Sequence, residues 1–161
     1  MPFTPFHLGP GAIFKAIGGN RFSFMVFGGS QVLIDIEPGV RMLFGTSILH
    51  GPSHTIAGAF LIGIVASLIG KPISEFALRL LSIPHIGITW TASATGAFFG
   101  TFSHIFLDAI VHSDMIPWSP LSGSNELLGL VSLPSLLILC VVSGVVGGLV
   151  VLIRYKTRHN A

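Results

Sequence analysis

Four apolar stretches alternate with short polar breaks along the chain, from about Phe22 to Phe44, His54 to Ile69, Thr89 to Val111 and Leu127 to Ile153. A helix needs about 20 consecutive apolar residues to cross the hydrocarbon core of a bilayer, so this pattern predicts about four transmembrane helices. Between the second and third stretches, Pro72 to Ile83 carries Phe76, Leu80 and Ile83 on one helical face and Glu75 and Arg79 on the other. That amphipathic segment predicts a short helix lying in the interface. Asp114 to Asn125 is rich in Pro, Ser and Gly and predicts a loop. Ahead of the first stretch, Pro10 to Ile17 predicts a short helix that dips in from the outer side, turns at Gly18–Arg21 and lifts His7 toward the membrane interior. The alternative is a cytoplasmic N-terminal helix with His7 uninvolved. Pairs of glycines (Gly58/Gly63, Gly96/Gly100, Gly144/Gly148) permit close helix packing.

The expected fold class is therefore an all-α integral membrane protein in one domain. The N-terminal short helix occupies residues 1–21, the transmembrane bundle 22–153 and a cytoplasmic tail 154–161. Composition agrees. Hydrophobic residues make up 51% of the chain, charged residues 9%, and mean hydropathy is +0.85, where a soluble domain carries about 25% charged residues. The single Cys140 excludes an internal disulfide. The N-terminus lacks a basic region and a small-residue cleavage site, so no cleavable signal peptide is expected. No basic stretch suits nucleic acid. Lys15, Arg21, Lys71, Arg79, Arg154, Lys156 and Arg158 fall on one side of the expected topology and only Arg41 on the other. That side is expected to be cytoplasmic, with the C-terminus inside and the Asp114–Asn125 loop outside.

Against this background the ionisable residues within the apolar stretches stand out. Asp35 and Glu37 lie in the first, His50 and His54 at the mouth of the second, His104 and Asp108 in the third, and His112 and Asp114 at its end. A charge at mid-bilayer costs ~2.5–3.5 kcal/mol even on lenient insertion scales, so several together imply a bound ion. Arg21 to Asp35 and Thr89 to His104 each span about 21–22 Å of helix. Two separate segments thus bring their polar groups to one level, in the outer third of the bilayer. His50 and His54 are spaced i, i+4 and share a face if a helix starts that early. His104, Asp108 and His112 form a stripe in which Asp108 can bridge two ions about 3.5–4 Å apart. His, Asp and Glu without sulfur suit Zn, Mn or Fe. Zinc is the first expectation, with one or two ions. Glu37 and Asp114 are the candidate general bases. His85 and His159 are expected to play no part.

The N-terminal Met1-Pro-Phe-Thr-Pro-Phe-His7, Asp35-x-Glu37, His50-x3-His54-Thr55 and Ser103-His104-x3-Asp108 together resemble the small YdjM-like inner-membrane proteins, a family of membrane-bound metal-dependent hydrolases. The resemblance runs from His7 to about Asn125. It implies a metal-dependent hydrolase of a bacterial or archaeal cytoplasmic membrane, with His7, Asp35, His50, His54, His104 and Asp108 as ligands. Many relatives have Asp-x-Asp where this chain has Asp35-x-Glu37. The expected activity is hydrolysis of a lipid or lipid-linked ester or phosphoester at the outer leaflet through metal-activated water. Trp118, between Pro117 and Pro120, would serve as a lid, a head-group contact or a simple anchor. The alternative function is a metal-ion or proton transporter, since acid/His chains in membranes also mark ion paths.

Overall fold

A computed structural model describes residues 5–85 and 87–159, the last two as backbone only. The Met1–Thr4 part of the N-terminal motif and the Asn160–Ala161 end of the expected tail lie outside the described residues. The described residues form no strand. After a 3-10 turn at Pro5–His7 come α1 (Leu8–Gly18), a 3-10 turn at Gly19–Arg21, α2 (Phe24–Ile34) and α3 (Ile36–Leu43). A 3-10 turn at Pro52–His54 then leads into α4 (Ile56–Leu80), α5 (Trp90–Val111) and α6 (Leu133–His159). Three segments are long and apolar enough to cross a membrane: Ile56–Leu80, Trp90–Val111 and Leu133–Thr157.

The structure departs from the sequence expectation in three places. The first apolar stretch is not one helix. Pro38 has no N–H to give the carbonyl of Ile34, and α2 ends at that residue. Asp35 sits in the joint, and α3 continues for only 8 residues. The interfacial helix, in contrast, is not separate. Pro72 lies inside α4, which runs unbroken for 25 residues. Neighbours pack on both sides of the proline: Ser93 of α5 donates its hydroxyl to the Ser67 carbonyl at 2.6 Å, and Gly70 lies against Val26 of α2. The last helix starts at Leu133 rather than near Leu127 and continues through the expected tail to His159. Ser132 caps it, its hydroxyl accepting from Ser135 N at 3.4 Å, with Pro134 in the first turn where a missing N–H costs nothing.

Helices α2, α4 and α5 pack on one another, while α1 packs on α6. Gly96 and Gly100 bring α5 against the backbone of α2. A side chain at Gly96 would meet the Ser23 carbonyl, and one at Gly100 would meet the Phe27 carbonyl and Ser30. Gly147 admits α1 to α6 in the same way, against Ala12 and Ile13.

The two ends of the bundle differ. At one, Lys15 donates to the carbonyls of Gly19 (2.8 Å) and Phe22 (2.9 Å), Arg154 donates to the Ala16 carbonyl, and Ser23 N bonds the Ala92 carbonyl at 3.0 Å. At the other, His7, the α2–α3 joint, the Pro52–His54 turn and the C-terminal end of α5 meet. A core of Ile34, Ala59, Ile105, Ala109 and Met115 lies beside this meeting point. Ile34, Ile105, Ala109 and Met115 each adjoin a site residue in sequence (Asp35, His104, Asp108 and Asp114), so this core abuts the site.

Candidate metal centre

Each polar residue reaches the centre by a different local device. His104 and Asp108 are one turn apart on α5, and His112 follows another turn later at the residue that ends the helix. Asp35 is exposed to the centre by the helix break that Pro38 forces. His54 closes the Pro52–His54 turn, and Thr55 then caps α4 by accepting from Gly58 N at 3.0 Å. His50 and His54 therefore do not share a helical face, contrary to expectation. Gly51-Pro52 bends the chain instead, and the two rings still lie side by side with centroids 4.8 Å apart.

The groups converge around Asp108. One half of the cluster is Asp35, His54, His104 and Asp108, all buried, with one donor atom from each within 4.8 Å of the others. His104 Nε2 lies 3.2 Å from Asp35 Oδ1 and 3.1 Å from Asp108 Oδ2. His54 Nε2 lies 3.6 Å from each of the same two oxygens. The other half is His50, Asp108 and His112. There His50 Nε2 is 3.8 Å from Asp108 Oδ2, and His112 Nε2 is 3.8 Å from Asp108 Oδ1. His7 Nε2 approaches Asp108 Oδ1 at 3.3 Å, and its ring meets His104 edge-on.

Surrounding groups orient the rings. Gln31 donates its amide N–H to the Gly100 carbonyl at 3.1 Å, which turns its own carbonyl toward His104. His104 Nδ1 must then donate to Gln31 Oε1, at 2.6 Å, which leaves Nε2 bare and facing the two carboxylates. Asp114 acts on His50 in the same sense. It accepts from His50 Nδ1 at 2.8 Å through one oxygen and from Leu49 N (2.9 Å) and His50 N (3.2 Å) through the other. Burial pushes the Asp114 carboxyl up, but the His50 ring and the two amides outweigh it and hold the pKa at about 2. Ser53 Oγ meets His54 Nδ1 at 2.8 Å. Partners of this kind on the far ring nitrogen are how proteins prepare histidines for metal.

The donor set fits an ion. Among the described residues, His54 Nε2 and His104 Nε2 are buried with no hydrogen-bond partner, and so is His7 Nδ1. An orphaned buried nitrogen costs about 1–3 kcal/mol. Yet the Nε2 atoms of His54 and His104 stand 3.1–3.6 Å from the oxygens of Asp35 and Asp108. Ligands about 2.0–2.1 Å from a tetrahedral ion lie about 3.3 Å from each other. The spacing thus matches a shared ligand sphere. Asp35 and Asp108 also bring two buried carboxylates to the same two imidazoles, and a bound cation would offset their charge. The buried His/Asp cluster can hold a metal ion.

The two carboxylates expected to act as general bases belong to neither half, but each bonds to a residue in or beside the cluster. Glu37 lies in neither half of the cluster. Its Oε1 accepts from Arg41 at 2.8 Å and its Oε2 from Ser53 N at 2.7 Å, so it ties α3 to the turn that carries His54. Asp114 orients His50, as described. Gln31 escaped the sequence reading. Its signal was present: an amide one helical turn before Asp35, in an otherwise apolar run, has no reason to be there without a partner. His85 is exposed, and its ring meets the Ile83 carbonyl at 2.9 Å. A cavity of ≈ 760 Å³ opens beside His50, with Ser113, Asp114 and Asn125 among its polar lining residues and Leu61 and Leu128 among its apolar ones.

No protein-family model, no curated protein and no solved structure matches this chain.

Proposed function

We propose that the protein is a membrane-embedded metal-dependent hydrolase of a bacterial or archaeal cytoplasmic membrane, acting on a lipid or lipid-linked ester or phosphoester at the outer leaflet. The carrying observation is the cluster itself: bare, oriented imidazole nitrogens aimed at two carboxylates, with Asp108 common to both halves. The first half offers four donors and the second only three. Four protein ligands close a site, whereas three leave a position for water or substrate. A divalent ion, with zinc the proposed identity, supplies water activation near neutral pH and polarisation of a phosphoryl or carbonyl oxygen.

The chain's own residues do the rest. Asp108 holds the two halves at a fixed separation. Gln31 and Asp114 keep His104 and His50 in the tautomer that presents Nε2. The 760 Å³ cavity admits a polar head group against Ser113, Asp114 and Asn125, and an apolar portion against Leu61 and Leu128. The resemblance to the YdjM-like family, carried by the His-x3-His and His-x3-Asp motifs, supports the same reading. The basic asymmetry supports a cytoplasmic C-terminus.

The test is turnover by metal-loaded protein in liposomes containing phospholipids or polyprenyl phosphates. It should disappear with chelator, return with metal, and be absent in Asp108→Asn. Metal flux into proteoliposomes with no turnover of any ester or phosphoester would overturn the hydrolase in favour of a carrier.

A further inference from the structure

A second cavity, of ≈ 540 Å³, runs between α2 and α4 away from the polar cavity. It is lined by apolar residues, with Ser30 and Ser74 the polar exceptions and no charged group among them. The Ser30 hydroxyl is already bonded to the Phe27 carbonyl at 2.8 Å. Its α2 wall runs from Phe24 to Leu33, about 14 Å of helix, and Ile36 at the start of α3 extends it. One leaflet of a bilayer core is about 15 Å thick.

Two glycines make the groove. A side chain at Gly29 would meet nothing within 4 Å, and one at Gly28 only the tip of Leu8, at 3.7 Å. Gly96 and Gly100 are filled by a neighbouring backbone. Gly28 and Gly29 are not, so close packing does not account for them. Each costs α2 about 0.5–1 kcal/mol relative to alanine. Their effect is to leave a channel one side chain deep. At its outer end the channel is lined by Leu8 and Ile36, the residues that directly follow His7 and Asp35. At its inner end it is lined by Phe24, Ser74 and Ala77.

We propose that this groove seats one hydrocarbon chain of a membrane lipid, with the head-group end at the His/Asp cluster. The length is close to one leaflet, the lining is almost wholly apolar, and one end is lined by the residues that follow His7 and Asp35 in the chain. A polar or charged ligand would leave its groups unpaired there. The inference rests on the hydrolase reading only for the meaning of the site: the bound chain would be that of the substrate.

The experiment uses the whole protein in phospholipid vesicles doped with phospholipid carrying a diazirine on one acyl chain, either near the carboxyl or near the terminal methyl. The carboxyl-proximal probe should label the Leu33–Ile36 end, and the methyl-terminal probe the Met25 and Ile73 end. Labelling there should exceed that of Leu139 and Val146 on α6 severalfold. Gly29→Phe should remove the excess while metal content stays at the wild-type level, which also shows that the variant folds. A reversed gradient, groove labelling equal to that of α6, or crosslinks joining two copies of the chain through the groove would overturn the proposal. The wild-type gradient is read without any variant. Labelling decides the groove and turnover decides the hydrolase, so either can fail alone.

Discussion

Helices α5 and α6 are both long enough to cross a membrane, and they use that length in opposite ways. In its most apolar window α6 has a mean hydropathy of 3.0 and is 17% buried within the protein, while α5 has 1.3 and is 56% buried. In water the more apolar helix would occupy the centre. In a bilayer the lipid is as apolar as leucine, so hydrophobicity gives no reason to hide α6. What must be hidden is the polar content of α5: Ser93, Thr101, His104 and Asp108, each buried to within a few per cent. Small residues on α5 then let neighbours close over it. The centre of this protein is thus set by the groups that lipid rejects, and the periphery by those it accepts.

The sharpest break of that comparison is at Asp108. Asp108→Asn removes the negative charge that both halves of the cluster share and would offer to an ion. Metal content, read by elemental analysis of purified protein, should fall to background. Leu139→Ala on α6, exposed to lipid, should leave it unchanged. Equal retention of metal by both variants would mean the ligands are misassigned.

A smaller loss is expected one step out. Gln31→Leu keeps the volume but releases His104 from its tautomer, and Asp114→Asn does the same to His50. Metal affinity should weaken by about 10–100-fold in each case, the usual effect of losing an orienting partner. Gln31→Leu should act on the four-donor half and Asp114→Asn on the three-donor half. Competition with a calibrated chelator would then show loss of one ion before the other. An unchanged titration in Gln31→Leu would remove Gln31 from the site.

Metal should also stabilise the fold that encloses it. A ligand at 100 times its Kd adds about 2.7 kcal/mol. Thermal unfolding in detergent should therefore move to lower temperature on chelation and recover when metal is restored. The shift should vanish in Asp108→Asn. Chelation that leaves wild-type unfolding untouched would sever the link between ion and fold.

The smallest effect concerns glycines. Gly100→Ala must displace the α2 backbone or Ser30, so its unfolding temperature should drop. Gly148→Ala on α6 meets nothing within 4 Å. It should be neutral or stabilising by about 0.4–1 kcal/mol, since alanine narrows the unfolded ensemble. Equal effects at the two positions would contradict the packing described for α5.

Much of the site was legible before any fold was known. Asp35, His54, His104 and Asp108 were marked by being ionisable where lipid should be, and a shared depth foretold that they meet. His7 joined them because the short N-terminal helix turns back at Gly18–Arg21. The role of Glu37 was not legible. Its carboxylate is only two residues from Asp35, yet α3 starts a new helical direction and carries it to Arg41 and Ser53. Nor was that of Asp114, whose value to His50 depends on a loop fold that no periodicity describes.

The sequence by itself determined the class of structure and the kind of donor: helices long and apolar enough to cross a membrane, carrying imidazole and carboxylate groups that could hold a metal ion. Those are properties of side chains and of their one-dimensional spacing, which apolar length and residue type express directly. Only the tertiary structure decided where helices stop, which carboxylates lie within the His/Asp groups and which bond to residues around them, and how the donors divide around Asp108. Those outcomes depend on through-space distances of a few ångströms between residues far apart in the chain. Local propensity is a weak prior there, and contacts such as Gln31 with His104, or Ser93 with the Ser67 carbonyl, override it.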